Sequence, residues 1–538
     1  MGSRKLQVWL PLLFALVMIA GMAIGFQLKE KTMAARFFGF SRRTSLQELT
    51  ELIKSRYVDK VEEDSINALA STQLLEHLDP HSVFIPAEEL SDANEEMAGS
   101  FYGIGIEFRM INDTVNVITV IKDGPAEHAG ILSGDKLLVV SDSVAISGKK
   151  MDAAAVRKYF RGELDTKVVV KFLRGNQLKK VSITRGNIPI SSIDAAYMLE
   201  PGKGYIRINK FAERTYEEFM VQLEQLQKQK MQSLVIDLRG NTGGLLKEAI
   251  DIVDELLDDD KLIVYTEGEH SPRVDYRAKR PGLFEKGKLV ILIDETSASA
   301  SEVLAGALQD WDRATIIGRR SFGKGLVQQQ FQLSDGAAVR LTVARYYTPL
   351  GRNIQKPYEK SIKAYQEEIF NRYKKDSSLQ IGTDSVVRSD AHSNAHSGKS
   401  FKTKSGKMVY GGGGITPDSI LAFDSSRFPR ELIALQLSGT LTNFSYEYFV
   451  AHRGQFGGFK DPLQFRVAYA PGNNEWNELT QYAKNDSINL SLVKADARAL
   501  ILNRFKSLLA RQLWRDQGYF INANQTDPIL LMALKVLK

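Results

Sequence analysis

The sequence predicts a multidomain chain of α/β and α+β character. It has an N-terminal membrane helix, a helical N-terminal region, a small β-rich module, an α/β core and a C-terminal helical domain. Three observations predict this. The 538 residues correspond to three or four domains of ordinary size. One uncharged apolar run stands near the N-terminus. Hydrophobic periodicity then changes along the chain from helical, to short strands between glycines, to alternating strand and helix, and back to helical.

Composition removes several function classes. Apolar residues make up 43% and charged residues 25%, as in ordinary globular protein. The net charge of +7 is small for this length and gives no reason to expect nucleic acid as a partner. There is no cysteine, which excludes disulfides, thiolate metal sites and cysteine nucleophiles. None of the 7 histidines lies in an HExxH motif, so the sequence calls for no metal or other cofactor.

Residues 1–27 read as a transmembrane anchor or a signal. Arg4 and Lys5 precede the apolar run 8–26, and Lys29, Glu30 and Lys31 come after it. As a helix the run rises about 28 Å, close to a bilayer core, and the preceding positive charge favours export of residues 28–538. The reading as an uncleaved anchor rests on that length. A cleaved signal, with Gly21-Met22-Ala23 as a weak cleavage end, is the alternative.

Residues 28–97 read as helical. Ser45-Leu46-Gln47-Glu48 has capping-box spacing before Leu49, Leu52 and Ile53. The stretch ends near Leu78-Asp79-Pro80-His81-Ser82, where Pro80 breaks the helical spacing of His77 and His81. Residues 98–186 are short strands with glycine turns. Residues 187–355 alternate strands at 204–209, 234–238, 262–266 and 289–293 with helices at 216–229 and 245–257, the pattern of a layered α/β core. A polar insertion at 356–400, reading as solvated loop over 376–400, precedes residues 401–425, which complete the core. Residues 426–538 are helical, for example over 497–512, and suit a scaffold, a lid or an oligomer contact.

Chemistry concentrates at three places. Ser297-Ala298-Ser299-Ala300-Ser301-Glu302 joins a strand to a helix. A serine there is exposed to substrate beside helix amides, such as the Ala300 N–H, that would stabilise an oxyanion; equally, serines before helices are common N-caps. Gly318-Arg319-Arg320-Ser321-Phe322-Gly323-Lys324-Gly325 approaches a P-loop, but Gly325 replaces the Ser or Thr that holds magnesium, and β-prone residues 326–331 stand in place of a helix. Lys324 could instead be a general base if burial lowers its pKa from about 10.4, or simply a surface lysine between glycines. Asp237-Leu238-Arg239-Gly240-Asn241-Thr242-Gly243-Gly244 runs from a strand into a glycine turn, where Gly243 or Gly244 could present a second oxyanion N–H.

These motifs, with LDPHS at 78–82, YGIGI at 102–106, GPAEHAG at 124–130 and FGKGLVQ at 322–328, occur in an order that resembles the carboxyl-terminal processing peptidases, or tail-specific proteases. The resemblance covers residues 45–355 and 410–418. It implies a serine endopeptidase in which Ser299 is the nucleophile, Lys324 the base, Gln328 the group that orients the lysine, and the Ala300 and Gly243 N–H groups the oxyanion donors. Residues 324 and 328 would lie about 13 Å apart in a straight strand, so their contact requires a bend. By the same resemblance, 98–186 is a PDZ domain whose loop at Gly103, Ile104, Gly105 and Ile106 binds a substrate C-terminus, and Arg161 couples that docking to the protease core. Asp165-Thr166 replaces the family's usual Gly-Thr.

The implied partners are protein or peptide substrates with free C-termini and the membrane, with a homo-oligomer possible. The implied place is the bacterial cell envelope: anchored in the inner membrane with the catalytic part periplasmic, or free in the periplasm if the segment is cleaved. The alternative is a PDZ scaffold with an inactive protease-like core, which the presence of Ser299, Lys324 and Gln328 counts against.

Overall fold

A computed structural model describes residues 9, 14–22, 44–258, 260–358, 361–376, 386–388, 398–424 and 427–538. The chain divides into two compact units, 1–74 and 75–538. The expected span 8–26 lies largely outside the described residues, and among these no helix is long and apolar enough to cross a membrane. In the first unit the helix Ser45–Arg56 is capped one residue earlier than the sequence suggests: Thr44 and Gln47 form the reciprocal capping box.

The second unit is built around a seven-stranded sheet. Five of its strands are parallel: Lys203–Ile208, Ser233–Asp237, Lys288–Ile293, Thr315–Gly318 and Ser419–Leu421. Ile193–Glu200 and Val386–Arg388 pair antiparallel at its edges. The central strands are buried almost throughout, which explains their continuous apolar runs. Alternate residues serve opposite faces. Ile206, Ile236 and Ile291 pack with Phe219, Leu223, Ile252 and Leu304 of the helices Thr215–Lys228, Leu246–Asp254 and Ala300–Asp310. Tyr205, Val235, Val290 and Ile317 pack instead with Ile521, Ile529, Leu530 and Ala533. The second face is thus covered by the end of the helix Ala495–Ala523 and by Pro528–Val536. The rest of the C-terminal section has its own aromatic core of Phe444, Tyr448, Phe456, Phe465 and Phe505.

One expectation is corrected. The strand expected at 262–266 belongs to a different, antiparallel sheet, where Leu262–Gly268 pairs with Ser271–Arg277 and with Ala338–Tyr347. The chain turns back at 269–270 without the crossover that a parallel strand requires. The insertion at 356–400 carries a helix, Ile362–Asp376, with Tyr365 and Arg372 buried. Most of 377–397 lies outside the described residues.

Residues 106–184 form a separate sheet of Ile106–Ile111, Thr114–Val120, Lys136–Val140, Lys167–Arg174 and Gln177–Thr184, with the helix Ala153–Phe160 across it. The ribbon of Ser100–Gly103 and Gly186–Pro189 ties the module's entry to its exit. The C-terminal helices also hold it: the Tyr446 hydroxyl donates to Val117 O at 3.1 Å and Arg515 Nη2 to Val120 O at 2.8 Å.

Candidate active site

Ser299 stands between the strand Lys288–Ile293 and the helix Ala300–Asp310, with φ 56° and ψ −117°. A non-glycine residue in the left-handed half of the map stores on the order of 1–3 kcal/mol of strain, so its surroundings must hold it. Ser297 Oγ accepts from Asp294 N at 2.9 Å and donates to Leu238 O at 2.9 Å. Asn241, fully buried, accepts on its carbonyl from Ala298 N and Ser301 Oγ, each at 3.0 Å. The glycine turn therefore docks directly on the serine turn. A Cβ on Gly243 would lie 2.6 Å from Ser299 Cβ and 3.1 Å from Ala300 N. As the first helical residue, Ala300 has an N–H with no intrahelical acceptor. The Gly243 N–H, by contrast, donates to Asn241 Oδ1 at 2.9 Å. To serve an oxyanion it would have to exchange that partner.

Lys324 lies in an irregular loop just before the strand Leu326–Gln332. Its Nζ donates to Gln328 Oε1 at 2.9 Å. The bend required by their separation is present: the pairing of this strand with Ala338–Tyr347 slips between Val327 and Gln328. Burial lowers the Lys324 pKa, Arg340 adds to this, and Asp79 and Glu302 oppose it. No hydrogen bond joins the Ser299 hydroxyl to Lys324 Nζ among the described residues.

Glu302 ties the two sides together. Its carboxylate is fully buried and receives four donors: Ser299 N and Lys324 N on Oε2, each at 2.9 Å, and Gly323 N at 2.8 Å and the Ser321 hydroxyl on Oε1. Burial pushes its pKa up to about 7, against these donors. The remaining polar groups of the loop are also matched. The Tyr346 hydroxyl donates to Ser299 O at 3.1 Å and to Lys324 O, and Gly325 N donates to Gln355 Oε1 at 2.8 Å. Gln328 is held from behind, where its Nε2 donates to His81 O. His81 N and Ser82 N in turn donate to Asp79 Oδ1 at 2.8 and 2.9 Å.

His81 lies close to the lysine loop. It is packed beside Phe322 and Tyr365. Burial, followed by the nearby Lys324 charge, lowers its pKa to about 4. Sequence reasoning also passed over Glu302, Asn241, Tyr346 and Gln355. Only Glu302 carries a local signal, the S-x-x-E spacing of a capping box.

The proposed peptide loop lies in the separate module. Gly103 pairs with Gly186 and bridges Arg161, Ile104 is buried, and Gly105 has φ 78°. The Ile104 and Gly105 carbonyls are used by Ala126 N and Ile121 N, while Ile106 begins the strand paired with Thr114–Val120. Arg161 Nη1 pairs with Asp92 at 2.7 Å and Glu95 at 3.0 Å on the helix Ala87–Ala98. That helix reaches the core, since Met97 O accepts from Glu213 N at 3.2 Å and Asn94 Oδ1 accepts from Gln330 Nε2 at 3.0 Å.

Comparison with known proteins agrees with this organisation. Residues 202–363 match peptidase family S41 and residues 103–184 match the PDZ domain. The chain is 35% identical over 314 residues to a carboxy-terminal-processing protease of Bartonella bacilliformis, covering 57% of this chain and 71% of that protein. It is 34% identical over 302 residues to a probable CtpA-like serine protease of Staphylococcus haemolyticus, covering 56% of this chain but only 59% of that one. Among solved structures, the photosystem II D1 C-terminal processing protease is 33% identical, over 58% of this chain and 84% of that one, with a TM-score of 0.34. With its PDZ module set before an S41 core, this chain belongs to the carboxy-terminal processing proteases, a family of serine-type peptidases.

Proposed function

We propose that the protein is an endopeptidase that cleaves exported proteins near their C-termini with a serine–lysine pair. The observation that carries this reading is the environment of Lys324. It is half-buried, its charged form is disfavoured, and it is hydrogen-bonded to Gln328 on a loop tied through Glu302 to the turn that presents Ser299. In this reading Lys324 Nζ leaves Gln328 Oε1 far enough to accept the Ser299 proton when substrate binds; apo geometry is commonly longer than the working geometry. Ser299 Oγ attacks the scissile carbonyl and the oxyanion is received by Ala300 N–H, joined by Gly243 N–H once Asn241 releases it. The protonated lysine supplies the leaving amine with a proton, then activates the water that hydrolyses the ester.

The loop 103–106 binds the free carboxylate of the substrate, and Arg161 transmits docking through the helix Ala87–Ala98. The apolar run 8–26 anchors the chain in the inner membrane, with the remainder periplasmic.

The test is peptide hydrolysis by purified variants. Ser299→Ala and Lys324→Ala are expected to lose activity while remaining folded. Lys324→Arg is expected to be equally inactive, because guanidinium keeps the charge but cannot accept a proton at neutral pH. Substantial activity in the arginine variant would refute the role of Lys324 as base.

A further inference from the structure

The helix Ile362–Asp376 lies almost wholly beyond the region that matches family S41, inside the polar insertion, yet it reaches the lysine loop. Arg372 is only 9% exposed and spends its guanidinium on backbone. Nη1 donates to Arg320 O at 3.2 Å and Ser321 O at 2.7 Å, and Nη2 donates to Phe322 O at 3.1 Å. Nε is held by Glu368 at 2.7 Å, one turn earlier on the same helix. In an extended strand, successive carbonyls point to opposite sides. Three consecutive carbonyls can converge on one planar cation only if the chain curls around it, and here it does so immediately before Gly323, which has φ 92°. The same insertion helix supplies Tyr365, whose carbonyl accepts Lys356 Nζ at 2.9 Å and whose hydroxyl meets His81 Nε2 at 2.7 Å. Lys356 N donates to Gly323 O at 2.9 Å.

We propose that Arg372 is a positioning residue for Lys324: carried by the insertion helix, it gathers the carbonyls of residues 320–322 and so holds the lysine in its half-buried place against Gln328. Arg372 touches neither substrate nor Lys324 Nζ and acts through the backbone of the loop. No other side chain can replace it simply. A lysine at 372 has three donors on one atom and cannot span three carbonyls, whereas guanidinium has five donors in a fixed plane. The inference rests on the reading of Lys324 as general base. The charged or titratable groups that face Lys324 are Asp79, Glu302, Arg340 and His81, and all of them remain when Arg372 is replaced.

The experiment measures kcat and KM of the full chain on a short peptide between about pH 6 and 10, for Arg372→Ala and Arg372→Lys, with Lys324→Ala in parallel. Arg372→Ala is expected to lower kcat by about tenfold or more at neutral pH with KM changed less than about twofold, because a misplaced group costs rate more than binding. Water admitted to the loosened loop stabilises the lysine ammonium, so the acid limb of the kcat profile is expected to move to higher pH. Arg372→Lys keeps the charge beside Glu368 and is expected to show the same limb shift in smaller degree, so the test holds even where the alanine variant fails to fold. A wild-type kcat, or a kcat lowered equally at every pH with the limb unmoved, would overturn the proposal while an inactive Lys324→Ala leaves the parent reading standing. An active Lys324→Ala would overturn both.

Discussion

The serine turn and the lysine loop meet at Glu302 but are held by different kinds of structure. The turn at 297–301 sits between a parallel strand buried from Leu289 to Ile293 and a fully buried helix, so it is anchored at both ends by regular elements. The loop at 320–325 has no regular structure. Besides backbone bonds such as Phe322 N to Ser297 O, many of its backbone groups are matched by side chains drawn from widely separated sequence: Glu302, Tyr346, Gln355 and Arg372. The difference teaches where each half is vulnerable. The serine half fails when something is forced into it. The lysine half fails when one of many dispersed supports is removed.

The largest expected effect comes from the residue common to both halves. Glu302→Ala leaves four donors, two of them buried and two part-buried, without their acceptor. At about 1 kcal/mol or more for each unsatisfied group, stability is expected to fall by roughly 4 kcal/mol and hydrolysis to vanish. A denaturant midpoint within error of wild type would refute the clamp. Next is Gly243→Ala. Its Cβ would meet Ser299 Cβ at 2.6 Å and Ala298 O at 2.8 Å, at a residue with φ 103°. Activity is expected to fall by about 100-fold, as for a displaced reacting group. Retained activity would mean that the serine turn yields more easily than its buried flanks suggest.

A direct contest between the halves is smaller in scale. Gln355→Ala removes the acceptor of Gly325 N and the donors to Lys356 O and the Tyr365 hydroxyl, whereas Ser301→Ala removes only the bond to Asn241 O. The first is expected to lower kcat about tenfold, and the second to leave it within about twofold, although each hydrogen bond is worth about 1 kcal/mol. The reverse order would remove the distinction between the two halves.

The smallest effect is a pH slope. The folded pKa of His81 is depressed to about 4, so between that value and its ordinary 6.5 the unfolded chain binds a proton that the folded chain does not. The contribution of His81 is therefore present above pH 6.5 and lost as pH falls toward 4. Thermal melts across this window should show wild type losing more stability than His81→Gln, and parallel slopes would refute the assignment.

These two halves also explain which features the sequence makes legible. The parallel strands and their helices are legible because burial on both faces writes a continuous apolar run, as in 289–293, and amphipathic helices write their period. Ser299 is legible because a strand-to-helix turn has a local pattern. Lys324 and Gln328 are legible as a motif, and the need for a bend comes from distance alone, but the slip at Val327 that provides it depends on the partner strand. Arg372 is illegible. It sits in the polar insertion, where no local pattern singles it out, and the carbonyls it gathers are 50 to 52 residues away. The strand Leu262–Gly268 is misplaced by its sequence for a related reason: its apolar pattern marks a strand but says nothing about which sheet receives it.

The cover on the second face of the parallel sheet has a bearing on when the enzyme comes into being. Tyr205, Val290 and Ile317 are buried with Ile521, Ile529 and Leu530, residues made long after Ser299, Lys324 and Gln328 have left the ribosome. A nascent chain therefore holds the serine turn and the lysine loop before it holds the residues that cover the second face of the sheet. Asp527, at the start of the final helix, also pairs with Arg239 at 2.7 Å beside the glycine turn. The second face of the sheet that carries the serine turn therefore stays open until residues 521–533 are in place, well after residues 299–328 have been made.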